Sequence, residues 1–198
     1  MWRTERQAGS ADYPDVPGFG PTYGFAPIAR SVTIGWCLAF GVFFVYAAAD
    51  TDGFLFLDNA NLMIHEAGHA LFAWAGDTTQ ILGGTIAQLL VPLGCVLLFV
   101  RRGDTAAVAA TACWGFENLL YVATYMADAR RSALPLVGSD ESDWTILFTQ
   151  WGVLHQDTAI AAWTRSLGWI GMLASVAWLV WMHVRLEAAA YATPSTTR

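Results

Sequence analysis

Lysine is missing from this chain: its ten basic residues are all arginine, set among sixteen acids for a net charge of −6. The arginines form no patch, and without one the electrostatic footprint of a nucleic-acid binder is absent. No nucleic-acid partner is expected. Charge is scarce altogether, at 13% of residues against about 25% in an ordinary soluble domain, which argues against a solvated globular surface. Cysteine is equally thin. Cys37, Cys95 and Cys113 each stand alone inside an apolar run, so they build neither a disulfide framework nor a paired-thiolate zinc site. No internal repeat or low-complexity tract occurs. The first thirty residues hold no apolar stretch, and Pro14, Pro17, Pro21 and Pro27 suit an extended strap rather than a cleavable signal.

What the chain has in plenty is apolar surface. Hydrophobic residues make up 56%, with ten tryptophans and eleven phenylalanines, and aromatic rings favour the membrane–water boundary. A length of 198 residues suffices for one domain. The expected architecture is all-α, a polytopic transmembrane helical bundle of five to six helices. It divides into a polar Pro/Gly-rich arm at 1–31, a transmembrane domain at 32–187 and a short polar tail at 188–198. Apolar runs at 32–49, 53–75, 81–100, 104–127 and 166–186 are each close to the roughly 20 residues that cross a hydrocarbon core. A further stretch at 144–163 is interrupted by Gln150, His155, Gln156 and Asp157, and is read as spanning, re-entering or lying on the surface. If it spans, Arg3, Arg6, Arg30, Arg130, Arg131, Arg185 and Arg198 share the N-terminal side against Arg101, Arg102 and Arg165. The positive-inside rule then places the N-terminus in the cytoplasm.

One run carries chemistry. His65-Glu66-Ala67-Gly68-His69 sets two imidazoles four residues apart, hence on one helix face a turn apart, where both can bind one zinc ion. Glu66 is placed to act as general base toward a water bound to that Zn2+. Three ionisable groups within five residues of a span are costly, about 2.5–3.5 kcal/mol for a central carboxylate on insertion scales, so a metal or polar neighbours must compensate them. The bland alternative is a polar helix face buried in a bundle. Two histidines leave a third ligand to be found. With 53–75 crossing toward the N-terminal side, the motif lies roughly 9–15 Å from that side, level with Glu117 and Asn118 on the run at 104–127 and with Gln88 on the run at 81–100. Glu117 is the third ligand on depth, with Asp128 as its rival. Asn118 and Gln88 are candidates to orient ligands or substrate. Asp58 and Asn61 continue the motif's face upstream, where they could support the ligands or line a water path. Tyr121 could meet an oxyanion or simply pack. Asp143 and Asp157 read as helix N-caps before Trp144 and Thr158.

The segment Asn61-Leu62-Met63-Ile64-His65-Glu66-Ala67-Gly68-His69-Ala70 resembles the catalytic helix of the site-2-protease-like membrane metallopeptidases, and the glycine-rich Gly83-Gly84-Thr85-Ile86-Ala87-Gln88-Leu89 is similar to their next span. The resemblance covers about a quarter of the chain. It implies an intramembrane zinc metallopeptidase of the bacterial cytoplasmic membrane, with the site near the cytoplasmic face and a membrane-embedded or membrane-adjacent polypeptide as substrate. In that family the third ligand is the aspartate of a Leu-Asp-Gly motif. This chain has none, and by analogy the ligand is Asp128. Two other readings stand beside the peptidase: a zinc hydrolase acting on a lipid or amphiphile from the bilayer, and a non-catalytic protein with a retained polar helix face.

Overall fold

The computed structural model describes residues 24–137 and 141–192; most of the 1–31 arm and the end of the 188–198 tail lie outside the described residues. Every regular element is helical: α1 Arg30–Ala49, α2 Asp58–Leu71, α3 Asp77–Arg102, α4 Thr105–Asp128, α5 Asp143–Gln150 and α6 Asp157–Ala192, with short 3-10 turns at Ala73–Ala75 and Leu154–Gln156. Four of them (α1, α3, α4 and α6) are long and apolar enough to cross a membrane. Their boundaries follow ordinary helix-end chemistry. Gly103, at φ 67°, closes α3 in the left-handed region, and the Asp104 carboxylate accepts the Ala107 N–H at 3.0 Å to open α4. Both devices satisfy backbone groups that a helix end leaves orphaned.

The bundle is apolar outside and polar within. Leu38, Val42, Val45, Leu97, Trp163 and Ile170 are exposed, whereas Asp58, Asn61, Gln88, Glu117 and Asn118 are buried. This inverts the usual arrangement of a water-soluble core and suits a bundle bathed in lipid. Helix α4 packs most extensively against α6, while α2 packs on α3 and α3 on α4; α1 stands at the edge against α6.

The bundle has two ends. At one, the Ala26 N–H reaches the Gly103 carbonyl at 3.4 Å, Phe25 meets Trp178 edge-on, and Phe25, Val108 and Leu186 share a cluster. At the other, Arg130 grips Asp157 through Nη2 at 2.6 Å and Nε at 2.8 Å. Helix α1 runs from the first end to the second, α3 and α4 run back and forth, and α6 returns.

Helix α2 departs from the sequence expectation of a full span at 53–75. Its 14 residues reach only about 21 Å. After α1 the chain turns back into the bundle: Gly53 lies against Thr124, Phe54 meets Tyr121 at 5.8 Å between ring centroids, and Asn61 reaches Trp114. These contacts step down α4 from its Asp128 end to its middle. Helix α2 then climbs back along α3 until His69 meets the Gln80 carbonyl near the start of α3. The segment therefore enters and leaves by one end. Irregular backbone at that depth is tolerated only where protein groups satisfy it. Here the Leu55 N–H donates to Asp58 Oδ2 at 2.6 Å, and the Phe56 N–H donates to the Tyr46 hydroxyl at 2.8 Å.

One correction follows. With one crossing fewer, the motif lies at the end opposite residues 24–28, not on the N-terminal side. The stretch at 144–163, which the sequence left open, is α5, a turn and the start of α6, and α6 takes in the run at 166–186 as one 36-residue helix.

Candidate metal centre

The two histidines of α2 lie on one face, their rings 4.7 Å apart and nearly perpendicular. Glycine lets them sit close to α3. A Cβ on Gly68 would strike the Gly83 carbonyl, and one on Gly84 would lie 2.5 Å from His65 Nε2. The glycine before the second histidine and the Gly-Gly of α3 are thus two halves of one helix contact, a close approach typical of small residues in membrane bundles.

Each imidazole is anchored through Nδ1 by an oxygen and aimed through Nε2 at a common point. His65 Nδ1 lies 2.6 Å from Gln88 Oε1, and His69 Nδ1 lies 2.9 Å from the Gln80 carbonyl. On the other side of the rings, Asp143 Oδ2 stands 2.9 Å from His65 Nε2 and 3.2 Å from His69 Nε2. In a tetrahedral zinc site with bonds near 2.0–2.2 Å, neighbouring donors are about 3.3–3.6 Å apart. The two contacts, at 2.9 and 3.2 Å, are shorter, at hydrogen-bond length, so an ion would part these groups by roughly a few tenths of an ångström. The donor set, two imidazoles and one carboxylate, is one that zinc favours, and the outer hydrogen bonds are those that metal-ligating histidines make. Glu66 completes the group: donor atoms of His65, Glu66 and His69 all lie within 4.8 Å of one another.

Asp143 is the residue that sequence reasoning missed. It is the first residue of α5, and an aspartate before an apolar helix carries the same local signal whether it caps or serves a site. The N-cap is Ser142, with no side-chain cap bond, which leaves the Asp143 carboxylate to the histidines 74 and 78 positions earlier. The only available hint was placement, since the loop after α4 emerges at the end where the motif lies.

The expected third ligands have other partners. Glu117 Oε2 accepts from Asn61 Nδ2 at 3.0 Å, and Asp58 Oδ1 accepts from the same nitrogen at 2.9 Å. Glu117 is thereby tied to the first turn of α2. Asp128 Oδ2 accepts the backbone N–H groups of Ala133 and Leu134, both at 2.9 Å, and so shapes the loop after α4. Asp58 also holds the re-entrant turn through Leu55. Asn118 donates to the Trp114 carbonyl at 3.1 Å and accepts from Gln88 Nε2 at 2.9 Å. Tyr121 packs on Tyr125, with ring centroids 5.1 Å apart. Asp157 pairs with Arg130 and accepts the Thr158 N–H at 2.6 Å.

The motif forms the wall of a cavity of about 420 Å³ that also takes in Tyr121, Tyr125, Leu136 and Trp144. That volume lies within the range of small-ligand sites, about 300–1,000 Å³. Side-chain exposures of 15% for His65, 23% for His69 and 20% for Asp143 leave the group reachable yet shielded. No family model matches this chain, and neither a curated protein nor a solved structure does.

Proposed function

We propose that this chain is an intramembrane zinc metallopeptidase in which His65, His69 and Asp143 hold the ion and Glu66 is the general base. The observation that carries the reading is the convergence of both Nε2 atoms on one Asp143 oxygen, at 2.9 and 3.2 Å, with each Nδ1 held by an oxygen behind it. Zinc bound there would supply Lewis acidity toward a scissile carbonyl and lower the pKa of an attacking water to about 7. Glu66, beside the two imidazoles, would accept a proton from the attacking water and return it to the departing amine as the C–N bond breaks. Tyr121, on the cavity wall, carries a hydroxyl for the developing oxyanion. Shielding by the bundle strengthens each of these interactions.

The cavity opens at the bundle end that holds Arg130, Arg131 and Arg165, while Arg30, Arg101, Arg102 and Arg185 mark the other. Support for this sorting comes from Arg165 on Thr124 and from Leu186 beside Phe25. By the positive-inside rule the N-terminal side is cytoplasmic, so the site faces the outer half of the membrane. The polypeptide substrate reaches it from the bilayer or from the external surface.

The test is the purified protein in detergent or bicelles. Stoichiometric zinc is expected by elemental analysis. Glu66→Gln should keep the zinc and lose turnover on membrane-spanning peptides, read as new amino termini by mass spectrometry. A protein that holds no zinc sinks the enzyme reading, and release of fatty acid instead of new termini moves it to a lipid hydrolase.

A further inference from the structure

Behind His65 runs a relay of side chains whose direction is set at its far end. Gln88 and Asn118 are both fully buried. Side-chain amides can usually be turned end for end without changing their shape, so the direction of their hydrogen bonds must come from their partners. Here the last partner is the backbone carbonyl of Trp114, which only accepts. Asn118 must therefore present its NH2 to Trp114, at 3.1 Å, and its oxygen to Gln88. Gln88 then must present its NH2 to that oxygen, at 2.9 Å, and its own oxygen to His65 Nδ1, at 2.6 Å. An oxygen facing Nδ1 requires Nδ1 to carry the proton. That leaves Nε2, which faces Asp143 at 2.9 Å, as the nitrogen whose lone pair a bound metal would take in place of a proton shared with that carboxylate.

We infer that Gln88 and Asn118 are positioning residues that dictate the tautomer of His65, so that the Trp114 carbonyl sets which nitrogen is available to the metal. The inference rests on the zinc reading above. His69 needs no such relay, because its Nδ1 meets the Gln80 carbonyl directly. The two ligands thus reach the same tautomer by different means, one from adjacent backbone and one through two amides. Trp114 serves α2 a second time through its indole, which donates to Asn61 Oδ1 at 2.8 Å. That bond turns the Asn61 NH2 toward Asp58 and Glu117 by the same logic. One residue of α4 therefore orients amides on both α2 and α3.

The experiment compares Gln88→Met, Gln88→Glu and Asn118→Leu in a Glu66→Gln background, with zinc affinity measured by chelator competition. Gln88→Met keeps the volume and removes the acceptor, and roughly a 10- to 100-fold loss of affinity is expected. Gln88→Glu restores an acceptor oxygen and should return affinity to within about threefold of the parent. Asn118→Leu frees the Gln88 amide to turn and should fall in the same direction as Gln88→Met, by less. Nitrogen-15 histidine spectra of the zinc-loaded proteins supply a readout that general loosening would not mimic: the His65 ring signals should shift in Gln88→Met while those of His69 stay. If the parent binds zinc and Gln88→Met binds it equally well, the relay has no such role. Gln88→Glu falling as far as Gln88→Met would show that the acceptor oxygen does not set the affinity and overturn the inference. A parent that fails to bind zinc refutes the metal reading itself, which is a separate result.

Discussion

Replacing Gly84 by alanine adds one methyl group at a residue that supplies no ligand, and it should still dismantle the proposed metal centre. The added Cβ would lie 2.5 Å from His65 Nε2 and 2.6 Å from both Cδ2 and Cε1, where ordinary contact begins at 3.4 Å. The ring, or α2 with it, must retreat by about 1 Å. A metal–nitrogen bond near 2.0–2.1 Å tolerates displacements of only about 0.2 Å, so His65 drops out as a ligand. The expected loss of zinc affinity is at least about 100-fold, the scale set by comparable misplacement at catalytic sites. Gly94 in the same helix is the control, because a Cβ there meets nothing within 4 Å. Gly94→Ala should bind zinc normally and be as stable as the parent or more so, by about 0.5–1 kcal/mol from helix propensity. Chelator competition gives the affinities, and circular dichroism of the metal-free proteins checks that both variants stay helical. Gly84→Ala with zinc affinity within about threefold of the parent would refute the idea that the close α2–α3 approach sets the imidazole.

The carboxylates separate cleanly. Asp143→Ala should remove stoichiometric zinc, whereas Asp128→Asn should retain it, each read by elemental analysis; zinc held by the first and lost from the second would restore Asp128 as the ligand. Glu117→Gln should also retain zinc, since its carboxylate serves Asn61 rather than the imidazoles, and loss of the metal would return Glu117 to the ligand set. Zinc chelation should abolish hydrolysis and re-addition should restore it, with Glu66→Gln remaining inactive at full occupancy; recovery of turnover in that variant would remove Glu66 from its role.

Helical class was readable from composition, because scarce charge and apolar runs near 20 residues leave a membrane bundle as the natural answer. The runs at 32–49, 81–100 and 104–127 coincide closely with α1, α3 and α4. The path of α2 was hidden for a physical reason. Phe54, Leu55 and Phe56 before the motif, and Leu71, Phe72 and Trp74 after it, make 53–75 look like a span to any local measure. What turns it back are bonds from Asn61 to Glu117 and Trp114, 56 and 53 positions away. Asp143 was hidden differently: a cap and a ligand place an identical residue at an identical helix position, and only the tertiary partner separates them. Depth arithmetic put Gln88, Asn118 and Glu117 level with the motif; the first two lie in one buried network behind His65, whereas Glu117 bonds Asn61.

The re-entrant α2 also bears on how the chain is assembled. Its 14 residues contain Asp58, Asn59, Asn61, His65, Glu66 and His69, a polarity that opposes independent insertion into lipid. Its histidines meet α3 at Gln88 and Gln80, while Asn61 bonds Trp114 and Glu117 of α4, and α4 is made two helices later. A nascent chain that has reached Arg102 therefore has the α3 partners of the histidines but leaves Asn61 without its partners on α4. The upstream half of α2 can make these bonds only once α4 is in place, and Asp143, at the start of α5, arrives later still. The proposed metal centre would in this sense be a product of completed biogenesis, since a chain interrupted before α5 lacks Asp143.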